Sequence, residues 1–470
     1  MARADPSSDR NPARTCDRRS VLRLAIGVAG GVTFGPLLGA CAAPVPQGPS
    51  PVGSSTDPGP AQLSGPVTVL VEGGDPTTQP AMQQVYDDFR TLHPAIDWDI
   101  RALPGLGPDW DRLARAEMES GEQVGLVMLD GLFVRAWIRD GLLADLEADP
   151  RMVEILARVP ERFHLGGLDA GTASAFPLAL TRGVQTTGLY YNKALLDRAG
   201  LAPPATIADL TAMVKPLAAL GAAPLVHCSG DVPFNPLLVM WFLPMTAGRA
   251  GDPLAFVEST VRGDIGYDSP EWIEAFQAIA DLRSSGVLLE GSGAADYATM
   301  QQLLLQGRAA MTYNGSWMLP QIMGGTPSVP FDLHVAPLPT IDGAARAHSL
   351  LAWTGFALPA QTSASRDSVI AFLEYASRPD VDRAVVEGIQ SYSPIAGSNV
   401  AIHHAVAREF LPMLEDAITS LNWRWEPEID AEIGNQVQAL VRGATDPISV
   451  GTAIEAVARD LRASGRSYYP

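Results

Sequence analysis

The chain has 470 residues, with 52 acidic against 33 basic side chains and a formal charge of -19. That balance repels phosphate backbones and anionic lipid head groups and excludes nucleic acid as a partner. The length suffices for two lobes, each with its own core. With only three cysteines, at positions 16, 41 and 228, packing rather than disulfides must hold the fold.

At the start, Arg18-Arg19-Ser20-Val21-Leu22-Arg23 leads into an apolar run, Leu24 to Leu38, that closes in Leu38-Gly39-Ala40-Cys41. A run of about 15 residues is too short to span a bilayer. The paired arginines and the small residues before the cysteine read as a twin-arginine lipoprotein signal peptide over residues 1–40. Cleavage there leaves Cys41 as a lipidated N-terminus, anchoring the protein to the outer face of the cytoplasmic membrane. The alternative is cleavage elsewhere, with Cys41 incidental. Removing residues 1–40 takes away six arginines and three aspartates and leaves a charge of about -22. Residues 41–66 are dense in Pro, Gly, Ser and Ala, a composition that buries too little surface to fold and reads as a linker. Cys16 leaves with the signal and Cys41 is the lipid site, so Cys228 stands alone.

The body alternates short β-rich runs with longer amphipathic segments, the pattern of an α/β layer architecture. Val67 to Val71 reads as a strand stopping at Glu72-Gly73-Gly74-Asp75, followed by a helix through Met82, Val85, Phe89 and Leu92. Val124 to Leu129 is a second short apolar run, ended by Asp130-Gly131 before another helix. In open α/β sheets ligands meet the loops at the carboxyl ends of strands, which singles out Asp75 and Asp130. Each reads equally well as a helix N-cap. Ala309 to Tyr313 is a strand, and the turn-like Asn314-Gly315-Ser316 sets Trp317 at its end.

Five segments, in order, carry a family resemblance. They are Gly141-Leu142-Leu143, the run Gly188-Leu189-Tyr190-Tyr191-Asn192-Lys193-Ala194-Leu195-Leu196, the run Gly307-Arg308-Ala309-Ala310-Met311-Thr312-Tyr313-Asn314-Gly315-Ser316-Trp317, Ala336-Pro337-Leu338-Pro339, and Ala371-Phe372-Leu373-Glu374-Tyr375. Together they resemble the family 1 extracellular solute-binding proteins of ABC importers, and within it the carbohydrate-binding, maltose-binding-protein-like members. The resemblance implies a type II-like two-lobe periplasmic-binding-protein fold, its lobes joined by a two- or three-strand hinge with a ligand cleft between them. Lobe 1 would take 67–180 and 340–390, and lobe 2 would take 182–337 and 395–470. The crossovers would lie near Ala179-Leu180-Thr181, Leu338-Pro339 and Ser391 to Ile395. It further implies a monomer without cofactor or catalytic residues that delivers a carbohydrate to membrane-spanning ABC permease subunits.

A sugar offers flat C–H faces between hydroxyls, so its site needs aromatic surfaces beside carboxylates and amides. The resemblance gives Trp317 the role of stacking on the ligand; the competing reading is a plug of the core. Trp241 lies in a segment apolar all round, a setting for a buried helix, and Asn235 before it is either a cap or a hydroxyl contact. Trp353 sits where a first-lobe strand resumes, and Tyr392 falls at the third crossover beside the cleft floor. Of Trp423 and Trp425, which bracket Arg424, at most one faces the cleft, and Trp425 is taken as the ligand-binding candidate. Gly131 after Asp130, and the lack of an acid between Arg182 and Thr187, depart from maltose-type members and speak against a maltodextrin.

Two other classes remain open. One is a binder of the same fold for a charged small molecule, such as a polyamine or a phosphate ester. The other is an exported glycoside-active enzyme, with a carboxylate pair drawn from residues such as Asp75 and Asp130. The seven histidines lack metal-ligand spacing, and no phosphate loop, dinucleotide fingerprint or nucleophile elbow occurs.

Overall fold

In the computed structural model, residues 63–73, 79–105, 107–120, 123–166, 173–249, 251–320, 329–343, 347, 349–361 and 366–468 are described. The signal peptide, Cys41, most of the linker and Asp75 lie outside them.

Strand β1 (Gly65–Glu72) is all β-branched or apolar on its buried positions, and starts two residues before the strand expected from Val67. It runs parallel to β2 (Ile96–Leu103) on one side and β3 (Val124–Asp130) on the other. Strand β2, whose alternation buries Ile96 and Trp98, had no counterpart in the sequence reading. Helix α1 (Gln79–Leu92) links β1 to β2, α2 (Pro108–Glu119) links β2 to β3, and α3 (Gly131–Arg139) leaves β3 at once. Antiparallel to β3 lies β10 (Leu350–Ala357), which arrives from far along the chain and also pairs with β4 (Ala175–Phe176), β5 (Val184–Gln185) and β11 (Ile418–Thr419). Phe89 of α1 packs edge-on to Phe372 and Trp98 at 5.3 and 5.5 Å, so helix and sheet share one aromatic core. Aromatic pairs of this kind add about 1 kcal/mol each beyond the area they bury.

The second sheet is ordered β7 (Ala223–Val226), β8 (Ala309–Gly315), β6 (Thr187–Asn192), β9 (Leu333–Ala336). Its outer face is covered by the helices Pro236–Gly248, Pro270–Ser284, Pro427–Arg442 and Pro447–Ala463, with Trp241, Trp272 and Trp425 in their common core. The helix Pro236–Gly248 is buried from Pro236 to Ala247, which is why its sequence carries no polar face. The chain thus forms two α/β lobes, one around each sheet, and residues 61–470 are one compact unit. No described helix is long and apolar enough to cross a membrane.

The chain passes from the first sheet to the second between β5 and β6 and returns between β9 and β10, and the segments at Arg182–Val184 and Gln390–Tyr392 are bonded together. Val184 N–H donates to the Tyr392 carbonyl at 2.8 Å, and Ser391 Oγ donates to the Arg182 carbonyl at 2.6 Å. Among the described residues, the only non-glycine left-handed conformations are Arg182 (φ 65°) and Gln390 (φ 52°), both in these bonded segments. Gly183, at φ 62°, has no alternative: a Cβ there would overlap the Tyr392 carbonyl oxygen.

Candidate ligand site

The carboxyl end of β3 delivers Asp130 to the boundary between the lobes. Its carboxylate accepts the Leu132 N–H at 2.8 Å and so caps α3. The side chain is nevertheless open to solvent, and the crowding protein around it pushes its carboxyl up to about 6 by desolvation, against the Leu132 hydrogen bond. Cap and cleft carboxylate are therefore compatible readings of one residue.

A second carboxylate, Asp430, approaches from the other lobe. It lies buried in the first turn of the helix Pro427–Arg442 and accepts Trp425 Nε1–H at 3.0 Å. Burial pushes it up to about 7; bonds from Trp425 and Asn422 oppose the rise, and the charge of Asp130 adds to it. The sequence reading passed over Asp430, because an acid in the first turn of a helix is unremarkable.

From Asp130 a continuous row of backbone contacts crosses the floor between the sheets. Thr354 of β10 is the partner of Asp130, and its neighbour Trp353 is the partner of Val184 in β5. Two residues on, Thr186 N–H donates to Ser316 Oγ at 3.2 Å and the Thr186 carbonyl accepts Ser316 N–H at 2.8 Å. Trp317 follows, half-buried, its ring folded over Gly315, where any Cβ would overlap it. Trp423 lies against Gly131, at which a Cβ would come within 2.5 Å of the indole, and meets Trp353 edge-on with ring centroids 5.2 Å apart. Beside this row, Glu72 at the end of β1 is ion-paired to Arg182.

Along this row Trp353 Nε1, Trp317 Nε1 and Thr186 Oγ1 are buried without a hydrogen-bond partner among the described residues. Buried polar groups normally find partners, so donors of this kind are met by solvent or by a hydroxyl-bearing molecule. Among the described residues no group of acids, histidines or cysteines is arranged to hold a metal ion.

The remaining sequence candidates are placed elsewhere. Trp241 is in the core of the second lobe, stacked on Phe242 at 4.7 Å and donating Nε1–H to the Pro339 carbonyl at 3.0 Å. Asn235 is fully buried and caps nothing; its Nδ2 bridges the Ser229 and Gly434 carbonyls, tying the loop after β7 to the helix Pro427–Arg442. Trp425 turns inward to Asp430 and Trp272, and Trp423, also buried, lies against Gly131 next to Asp130. The short turn Leu421–Trp423 and the helical Arg424 set the two indoles apart. Tyr392 is buried in the crossover, its hydroxyl donating to the Ala407 carbonyl at 2.7 Å.

Comparison with known proteins agrees with this architecture. A probable sugar-binding periplasmic protein of Rhizobium meliloti is 23% identical over 229 residues, 47% of this chain and 51% of that protein. The chain spans about half the length of the curated relatives it matches. The GacH receptor of Streptomyces glaucescens, solved unliganded and with acarbose, superposes with a TM-score of 0.69 at 22% identity, over 85% of this chain and 98% of that one. Maltose-bound MalE3 of T. maritima gives 0.68 at 20% identity, over 84% and 99%. These likenesses establish the two-lobe fold. Residues 74–382 match the family described as bacterial extracellular solute-binding protein, whose members bind solutes and are not enzymes. The chain therefore belongs to the bacterial extracellular solute-binding protein family.

Proposed function

We propose that this protein captures a carbohydrate, a mono- or oligosaccharide, between its two lobes and delivers it to the permease subunits of an ABC importer. The observation that carries the reading is the seam between the two sheets, where the half-buried Trp317 and the solvent-open Asp130 lie near the buried Trp353 and Trp423, with the Thr186 hydroxyl and the Trp317 and Trp353 N–H groups unpartnered among the described residues. Apolar ring faces interleaved with hydrogen-bonding groups are what a pyranose requires. The relatives named for sugar binding support it.

Domain organisation enters the same reading: a twin-arginine lipoprotein signal over 1–40, a lipidated linker over 41–66, lobe 1 from 67–180 with 340–390, and lobe 2 from 182–337 with 395–470. The lipid on Cys41 holds the monomer at the outer face of the membrane, beside its permease. The bonded pair of crossovers at Arg182–Val184 and Ser391–Tyr392 acts as the hinge, where a few φ and ψ changes move rigid lobes.

A second reading rests on a specific observation. The charge of Asp130 adds to the raised pKa of Asp430, and no arginine or lysine holds either carboxyl down, which suits a cationic solute such as a polyamine. A thermal-shift screen of the mature chain against mono-, di- and oligosaccharides, with polyamines and phosphate esters beside them, separates the two. A ligand bound only by the native state adds RT ln(1 + [L]/Kd), about 2.7 kcal/mol at a hundredfold excess over Kd. A shift with one sugar class, the sugar recovered intact, supports the carbohydrate reading. A shift with polyamines alone replaces it.

A further inference from the structure

The segment Arg466–Tyr468, which follows the helix Pro447–Ala463, does not trail away from the second lobe. Tyr468 and Ser467 are buried, and the Tyr468 N–H donates to Glu426 Oε1 at 2.8 Å, while Arg466 pairs with Glu428 at 3.2 Å. Glu426 and Glu428 open the helix Pro427–Arg442, so this anchorage is to the second lobe.

The other side of the segment meets α3, which belongs to the first lobe. Arg139 Nη1 donates to the Arg466 carbonyl at 2.8 Å, and its guanidinium stands 5.7 Å from the Tyr468 ring centroid. Arg135 lies within electrostatic reach of the Tyr468 hydroxyl, with Nε and Nη1 buried and unpartnered among the described residues. Gly131, Arg135 and Arg139 recur every four residues and form one stripe of α3. At its start the stripe receives Trp423, beside the ligand row, and at its end it receives Tyr468. Both ends of the stripe thus touch groups from the second lobe.

We propose that Arg466–Tyr468 is a latch between the lobes: clasped by Arg139 and the Tyr468 ring, it holds the stripe of α3 against the second lobe and must release for the cleft to open. The inference rests on the reading of the cleft as the ligand site, since opening there is what the latch would govern. A ligand acts on such an equilibrium only through its differential affinity for the two arrangements, and an internal clasp biases the same equilibrium in its absence.

Small-angle scattering of the ligand-free mature chain tests this without any ligand. Tyr468→Ala and Arg139→Gln should each enlarge the radius of gyration, with unchanged far-UV circular dichroism and a cooperative melt. Tyr468→Phe should scatter as the parent does, because the ring and not the hydroxyl, which has no partner among the described residues, makes the clasp. Arg139→Gln removes a half-exposed side chain, leaves Asp140 its ion pair with Arg115, and stays informative if Tyr468→Ala does not fold. Unchanged scattering in Arg139→Gln, or enlargement in Tyr468→Phe equal to that of Tyr468→Ala, overturns the latch. A chain that binds no sugar in the screen but opens in these variants overturns the carbohydrate reading and leaves the latch standing.

Discussion

Gly131 has no side chain because Trp423 occupies the place where one would be, and this single close approach sets the second lobe's indole beside Asp130. Trp317 is placed in the same manner over Gly315, half-buried with its N–H unpartnered. If its free face stacks on a sugar, Trp317→Ala weakens binding by about 1–3 kcal/mol, the scale of stacking on an aromatic platform. Titration calorimetry with the sugar found in the screen reads that loss; a lowered Tm at unchanged affinity would make the indole a core plug instead. Asp430 gives a pH test. An acid whose folded pKa lies above its unfolded value binds protons more tightly when folded, so its contribution favours folding at low pH and is lost as pH rises from 3.8 towards about 7. Asp430→Asn keeps an acceptor for Trp425 and should flatten the decline of Tm between about pH 4 and pH 7. An identical slope in the variant would place the titration elsewhere. His334 tilts the curve the same way: burial pulls its pKa down, but Glu409 and Asp332 outweigh it and raise the net value, so the stability of the charged ring is lost as pH rises.

The strands and crossovers show which parts of the fold are local. The runs that became β1, β3 and β8 are apolar at nearly every position and end in Gly- or Asp-containing turns, so each reads as a buried strand wherever it stands in a sequence. In β2 the alternation Ile96-Asp97-Trp98-Asp99 is as plain and lies just past the helix stop at Pro94, yet the sequence reading assigned no element between Leu92 and Val124. Asp130 and Trp317, expected at strand ends, lie there in the structure, whereas Trp353 falls in the middle of β10 and is buried in the core. Trp423 and Tyr468 are not legible in the sequence, since each acquires its place by touching α3, far away in the chain, and Asp430 is not, since only the fold brings Asp130 within reach of it. The joined crossovers lie between these cases: the glycine is visible, its necessity is not. Gly183→Ala puts a methyl group into the Tyr392 carbonyl at a left-handed φ and should cost roughly 2–4 kcal/mol. Urea unfolding measures it, and a loss below about 0.5 kcal/mol, typical of a surface change, would mean the two crossovers separate easily.

At the scale of the whole molecule, charge and attachment work against each other. If residues 1–40 are removed as proposed, the remaining charge near -22 is repelled by an anionic bilayer. Helices of the described body offer no substitute, being too short or too polar to insert. In the proposed reading attachment falls to Cys41, outside the described residues, and two acyl chains on that cysteine would hold where a single chain would only visit. Residues 42–66, if extended, span about 80 Å at 3.1 Å per residue, enough to let the two lobes turn and present a loaded cleft. Cys41→Ser should move the protein from the membrane fraction to the soluble one while leaving its melting curve and ligand affinity as they were. Cys228 does not confuse the assay: it is buried, and burial pushes its thiol up to about 12, so it stays protonated and unreactive in the folded chain. Protein retained in the membrane fraction after Cys41→Ser would mean that the signal is uncleaved or that another segment anchors it, and the cleavage after Ala40 would then have to be abandoned.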